Sequence, residues 1–215
     1  MNVDVFRAWI TSAAEVIQAN RDHLTQLDAA IGDADHGGNM ARGFAAVLAA
    51  LAAKPAATPG AVLILTGSTL VSKVGGASGP LYGTAFRRAG QALGDAEVVD
   101  LPLLGQALAA ALAGVQQLGA AQEGDKTMVD ALAPAARAFT KAVTEGAAQA
   151  DGLSAAAAAA AEGAAATVSM QARKGRASYL GPRSVGHEDP GAASTALILA
   201  ALRDAAAQDT NAGAL

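Results

Sequence analysis

Apolar residues recur at spacings of three and four along most of the chain, the period of helices with one buried face. Phe6, Trp9, Ile10, Val16, Ile17, Leu24 and Leu27 mark a first helix over residues 5–30, with a bend near Asn20. A second covers about 38–53 and stops before Lys54-Pro55. A third, over about 60–74, carries Val62, Leu63, Leu65, Leu70 and Val71 and ends at Gly75-Gly76. The fourth rises out of the glycine-rich stretch 75–80 and runs to about Leu93. The fifth, sixth and seventh cover about 101–118, 124–145 and 151–173. Residues 174–189, rich in Gly, Arg and Ser, read as a loop. The eighth helix then starts with Asp189 as N-cap and Pro190 in the first turn and ends near Ala207. No segment alternates with the period of a strand, and the short run Val62–Leu65 lies inside a longer helical pattern. The pattern therefore predicts an all-α chain of eight helices packed up and down, antiparallel, in one layer. No linker is long or polar enough to divide it, so residues 1–215 are expected to form a single domain.

In such a bundle alternate helices start at the same end. The glycine-rich or acid-rich starts precede the second, fourth, sixth and eighth helices, so all four fall on one rim. Helix N-termini carry partial positive charge there. A rim that gathers N-termini, glycines and carboxylates suits a Mg²⁺–polyphosphate complex.

Composition narrows the classes. Hydrophobic residues make up 52% of the chain but aromatics only 3%, a core of small aliphatic residues suited to close helix packing. The net charge of −4 and the absence of a basic patch speak against nucleic acid. With no cysteine, disulfides, thiolate zinc and cysteine catalysis are excluded. The N-terminus lacks the basic-then-apolar pattern of a signal peptide, and no stretch has the length and Leu/Ile/Val/Phe content of a membrane span. The run Ala155–Ala161 is too short and too weakly apolar. A cytoplasmic protein is expected.

Candidate chemistry concentrates in Leu27–Phe44. Asp28, Asp33 and Asp35 converge on one turn, followed by His36, Gly37 and Gly38 and then a helix. A lone Asp-x-Asp is ordinarily a solvated cap. Three carboxylates on one turn repel unless a cation lies among them, and such hard oxygen ligands suit Mg²⁺ or Ca²⁺. Asp28 also sits at the C-terminal end of a helix, where the macrodipole disfavours it and a cation would compensate. Gly75-Gly76-Ala77-Ser78-Gly79-Pro80 lets the backbone approach a phosphate, with the Ser78 hydroxyl as donor, but lacks the Gly-Lys-Ser/Thr of a Walker A loop. Met128, after Gly124-Asp125-Lys126-Thr127, is placed to pack on an adenine face. Arg176 and Arg183, in a loop long enough to be a lid, can balance phosphate charge. His23 reads as surface, and His187 and Glu188 as loop residues. No general base for a substrate hydroxyl stands out, which implies that the phosphoryl acceptor is held on another chain.

The motifs Ile31-Gly32-Asp33-Ala34-Asp35-His36-Gly37, Gly75–Gly79, Gly124–Met128 and Gly175–Gly181 with Asp189-Pro190-Gly191-Ala192 resemble, in order and over nearly the whole chain, the nucleotide-binding L subunits of dihydroxyacetone kinases. The resemblance implies an eight-helix barrel-like bundle with the nucleotide at one end. It implies that Asp28, Asp33 and Asp35 ligate two Mg²⁺ ions. His36, Gly37, Gly38, Asn39, Ala77 and Ser78 would bind phosphates, and Gly119, Met128, Arg176, Asp189, Pro190 and Gly191 would line the rest of the site. It also implies a K subunit carrying dihydroxyacetone. In the phosphotransferase-linked branch ADP stays bound as a cofactor and an M subunit rephosphorylates it. In the other branch ATP exchanges freely and the K and L domains are fused. A stand-alone chain of this length favours the first branch. His36, where related fatty acid kinase domains commonly have Thr, favours the dihydroxyacetone group; Gly38 departs from a larger residue often found there. An ATP-dependent ketose kinase half and a non-enzymatic nucleotide-sensing adaptor remain open.

Overall fold

The computed structural model describes residues 1–212. Among them are nine α-helices: α1 (Val3–Ala19), α2 (Arg21–Ile31), α3 (His36–Ala53), α4 (Pro59–Lys73), α5 (Ser78–Leu93), α6 (Leu101–Gly119), α7 (Val129–Thr144), α8 (Gln149–Ala166) and α9 (Pro190–Ala212). Two 3₁₀ segments, Thr167–Ser169 and Arg176–Ser184, lie between α8 and α9. No strand occurs among the described residues, so the all-α class read from the periodicity holds.

The starts follow local chemistry. Asn2 accepts hydrogen bonds from the Asp4 and Val5 N–H groups, Thr58 from Ala61 and Asp100 from Leu103, the last two with proline in the first turn. From α3 onward each helix packs on the next, α9 packs on α1, and α1 returns to α3. The ring thus closes on itself, with α2 laid against α3 and α9. Phe6, Ile10, Ile17, Phe44 and Phe139 are fully buried inside it. Small residues set the spacing where α4 meets α5. A Cβ on Gly67 would lie 2.5 Å from the Gly83 carbonyl oxygen, so neither helix tolerates a side chain there without moving.

Three differences from the sequence expectation have local causes. The long first helix is two helices, because Asn20 leaves the helical conformation and its side-chain amide donates to the Val16 carbonyl. The helix before the loop ends at Ala166 rather than near 173, since Thr167 turns its hydroxyl back onto the Ala164 carbonyl and a 3₁₀ turn follows. Residues 124–128 are a turn ahead of α7 rather than its first residues, with Gly124 and Lys126 both at positive φ. In addition, α6 is long and apolar enough, by length and composition, to cross a membrane. Much of its apolar content is alanine, and the helix packs between α5 and α7.

Candidate active site

The N-termini of α3, α5, α7 and α9 do share one rim, and they surround a cavity of about 440 Å³. Asp28 lies in the last turn of α2 and is buried. Its Oδ2 accepts hydrogen bonds from the Asp35 and His36 N–H groups at 2.8 and 3.0 Å. The carboxylate that the α2 dipole disfavours is therefore held by the first donors of α3, a compensation the sequence reading had assigned to a cation alone. That hairpin-like approach forces Ala34 to φ 61°, a conformation costly for a residue with a Cβ. It also brings one carboxylate oxygen each of Asp28, Asp33 and Asp35 within 4.8 Å of one another. Three converging anionic oxygens, two of them exposed, are a donor set suited to a hard divalent cation. The Arg176 guanidinium reaches this cluster from the 170–189 segment, 3.1 Å from Asp33.

His36 opens α3 and is buried. Its Nδ1 is 3.0 Å from Ser78 Oγ on α5, and its Nε2 is 2.8 Å from Ser194 Oγ on α9. Burial holds the imidazole below its ordinary pKa, against the pull of Asp28 and Asp35. The Tyr82 hydroxyl donates to the Gly191 carbonyl at 2.7 Å and lies within 2.8 Å of Ser194 and Thr195; burial pushes its pKa far up. One polar network thus pins three helix starts together. Gly37 has a different necessity: a Cβ there would strike the Arg21 carbonyl and the Thr25 hydroxyl of α2.

The far wall is the turn 124–128 and the chain before α9. Asp130 accepts from Gly124 N–H at 2.5 Å and Thr127 N–H at 2.7 Å, which shapes the turn and sets Met128, buried, against the cavity. Asp189 accepts from the Ala192 N–H at 2.8 Å, the N-cap expected of it.

Asp28, Asp33, Asp35, His36, Ala77, Ser78, Gly119, Met128, Arg176, Asp189, Pro190 and Gly191 all line this one cavity. Gly37, Gly38, Asn39 and Arg183 do not line it. Asn39 is buried and its side-chain oxygen accepts from Arg42. Leu81 and Val115, which line the cavity, carry no signal in sequence, because their spacing is that of any core-facing helical residue. Tyr82 and Lys126 also line it: Tyr82 sits in a helical pattern without any mark of the site, and Lys126 belongs to the Gly124–Met128 motif but was given no role.

Burial pushes the Asp189 carboxyl up to about 7, with the negative charge of Asp130 adding to the rise. The N–H groups of Ala192 and Gly191 and the charge of Lys126 oppose it. The folded protein thus holds a proton, between about pH 4 and pH 7, that the unfolded chain has released. This group's contribution to stability is complete below that window and declines as pH rises through it. Asp189→Asn keeps the cap acceptor and removes the titration. Its unfolding temperature should fall less between pH 5 and pH 7.5 than that of the parent; parallel curves would contradict the assignment.

A family model described as the DAK2 domain matches residues 30–204. The chain is 44% identical over 198 residues to the "PEP-dependent dihydroxyacetone kinase, ADP-binding subunit DhaL" of Escherichia coli (strain K12), covering 92% of this chain and 94% of that protein. It is 42% identical over 199 residues to the corresponding subunit of kinase 1 from Listeria innocua, covering 90% and 92%. Among solved structures, the dihydroxyacetone kinase from C. freundii in complex with AMP-PNP and Mg²⁺ superposes with a TM-score of 0.67 at 29% identity, over 91% of this chain and 33% of that longer one.

Proposed function

The chain belongs to the DAK2 domain family, as a relative of the DhaL subunits, and from that premise we propose that it is the nucleotide-binding subunit of a phosphoenolpyruvate-dependent dihydroxyacetone kinase. The observation that carries this reading is the carboxylate cluster Asp28, Asp33 and Asp35 at the mouth of a cavity ringed by four helix N-termini. In this reading residues 1–215 act in the cytoplasm as one nucleotide-binding domain. The three aspartates hold two Mg²⁺ ions, which when bound neutralise and orient the phosphate oxygens. Ala77 and Ser78 present donors to the phosphates, His36 holds the Ser78 hydroxyl in place, and Gly37, Gly38 and Asn39 form the first turn of α3 behind them. Gly119, Met128, Asp189, Pro190 and Gly191 enclose the base and ribose, and Arg176 offsets charge on the transferred group.

The cavity's own side chains support a division of labour between chains. His36 has both ring nitrogens engaged, and the Tyr82 hydroxyl is committed to the Gly191 carbonyl. Neither is free to take a proton from a ketose hydroxyl, so that task falls to the K subunit holding dihydroxyacetone. This chain's share is positioning and charge neutralisation, the larger part of phosphoryl-transfer catalysis. The cavity's residues would hold ADP as a retained cofactor, whose chemistry would be to carry a phosphoryl group between a phosphohistidine of the M subunit and the ketose.

The test is reconstitution. The purified protein should carry ADP through purification. Dihydroxyacetone phosphate should form only when K subunit, phosphorylated M subunit and this chain are all present. An empty site that exchanges ATP freely, with ketose phosphorylated from ATP without the M subunit, would replace this reading with the ATP-dependent one.

A further inference from the structure

Lys126 is almost completely buried, with 1% of its surface exposed. Its backbone is at φ 61°, in the turn that Asp130 shapes by accepting from Gly124 and Thr127. That conformation is uncommon for a residue with a Cβ, and here it belongs to the turn that sends the side chain inward. The ammonium donates to the Thr167 carbonyl at 2.7 Å and to the His187 carbonyl. These acceptors stand at the two ends of one excursion of the chain, residues 168–186, whose 3₁₀ segment carries Arg176 over the carboxylate cluster. Other contacts gather at the same neck. The Gly186 N–H donates to the Val168 carbonyl at 2.7 Å, the Asp189 N–H to Thr167 Oγ1 at 2.9 Å, and the Arg173 N–H to the Asp125 carbonyl at 3.0 Å.

A buried ammonium is expensive, and no carboxylate lies within ion-pair distance of this one among the described residues. Its charge is supported at longer range by Asp189 and Asp130. An apolar residue of similar length would avoid that desolvation cost but leave two carbonyls without this donor. What an apolar residue cannot do is bond two carbonyls that belong to opposite ends of the excursion.

We propose that Lys126 is a positioning residue whose ammonium clamps the neck of residues 168–186 and so holds Arg176 and the start of α9 over the cavity. Its relevance to nucleotide binding rests on the function proposed above; the clamp itself does not.

The experiment uses two readouts on the full chain. Arg173, Lys174, Arg176 and Arg183 make the excursion a trypsin target whose cleavage reports its opening. In Lys126→Met cleavage there should accelerate roughly tenfold or more, and Mg²⁺–ADP affinity should fall by a similar factor, with a cooperative unfolding transition retained. Because the chain has no cysteine, Lys126→Cys can be alkylated in denaturant and refolded. Aminoethylation rebuilds an ammonium at nearly the lysine's reach, whereas propylation gives a neutral side chain of the same length. Parental cleavage rate and affinity in the aminoethylated form, but not the propylated form, support the clamp, also should Lys126→Met fail to fold. Equal behaviour of the two alkylated forms, or a parental cleavage rate in Lys126→Met, overturns it. If the parent protein binds no ADP while the cleavage rates behave as expected, the function fails and the clamp stands.

Discussion

Asp33→Asn is expected to weaken ADP binding in the presence of Mg²⁺ by about 100-fold or more, while leaving the helical circular dichroism and the unfolding temperature almost unchanged. The asymmetry follows from where the charge sits. Asp33 is partly exposed, on the loop between α2 and α3, and its ion pair with Arg176 is open to solvent, where such pairs contribute little to stability. As one of three carboxylates within 4.8 Å, it supplies about a third of the negative charge available to a cation there. In EDTA the sign should reverse. Without a metal, Asp33 repels the phosphates, so Asp33→Asn should then bind ADP as well as the parent or slightly better. Titration calorimetry with and without Mg²⁺ separates a metal ligand from a residue touching the nucleotide directly. Equal losses with Mg²⁺ and with EDTA would sink the metal assignment. Asp28 cannot serve for this test, because truncating it would also strip the acceptor from the Asp35 and His36 N–H groups and disturb the loop itself.

What could be read from the chain, and what could not, divides along the range of the interaction. The helix start at Asp189-Pro190 was legible from its cap, and the starts at Pro59 and Leu101 fell within a residue of those expected from the periodicity, though the caps Thr58 and Asp100 went unread. The shared rim was legible too, because it needs only alternation of direction. The break at Asn20 was visible as a bend but not as two helices, since its cause is a single side chain taking a backbone carbonyl. The end of α8 was misplaced by several residues because residues 168–173 hold no glycine or proline to mark the point where Thr167 stops it. Contacts between distant segments left no trace. Gly37 reads as a phosphate glycine, yet its missing Cβ is demanded by α2. Asp28 reads as a ligand needing a cation, yet the Asp35 and His36 N–H groups at the start of α3 already hold it. Lys126 reads only as part of the Gly124–Met128 motif, and nothing local foretells that its ammonium meets carbonyls 41 and 61 residues away.

Trp9→Ala is expected to cost about 3–5 kcal/mol in urea unfolding followed by circular dichroism, the usual range for removing a buried large aromatic. Trp9 is the chain's one tryptophan and is 5% exposed where α1 closes the ring against α9. Its ring centroid is 5.9 Å from Phe6 and 5.7 Å from Phe86, which in turn meets Phe44 edge-on at 6.2 Å. In a core otherwise built of small aliphatic residues, this aromatic row ties α1 to α5 and α3, and neighbouring alanines cannot collapse into the space a missing indole leaves. The indole N–H also donates to the Ile198 carbonyl of α9 at 2.9 Å. That carbonyl retains its helical partner in the variant, so the loss is mainly cavity and contact rather than an orphaned acceptor. Trp9→Phe keeps most of the contact and should cost about 1–2 kcal/mol. Against a total of roughly 5–15 kcal/mol for a domain, the alanine variant should lose about 6–20 °C in unfolding temperature. The effect should reach the site, because α9 begins at the Pro190-Gly191 rim and Trp9 grips it about two turns further along. ADP affinity in Trp9→Ala should therefore fall measurably below the unfolding transition, and Trp9→Phe should restore it. A cost under about 1 kcal/mol for the alanine variant would mean that the α1–α9 seam is not what closes the ring.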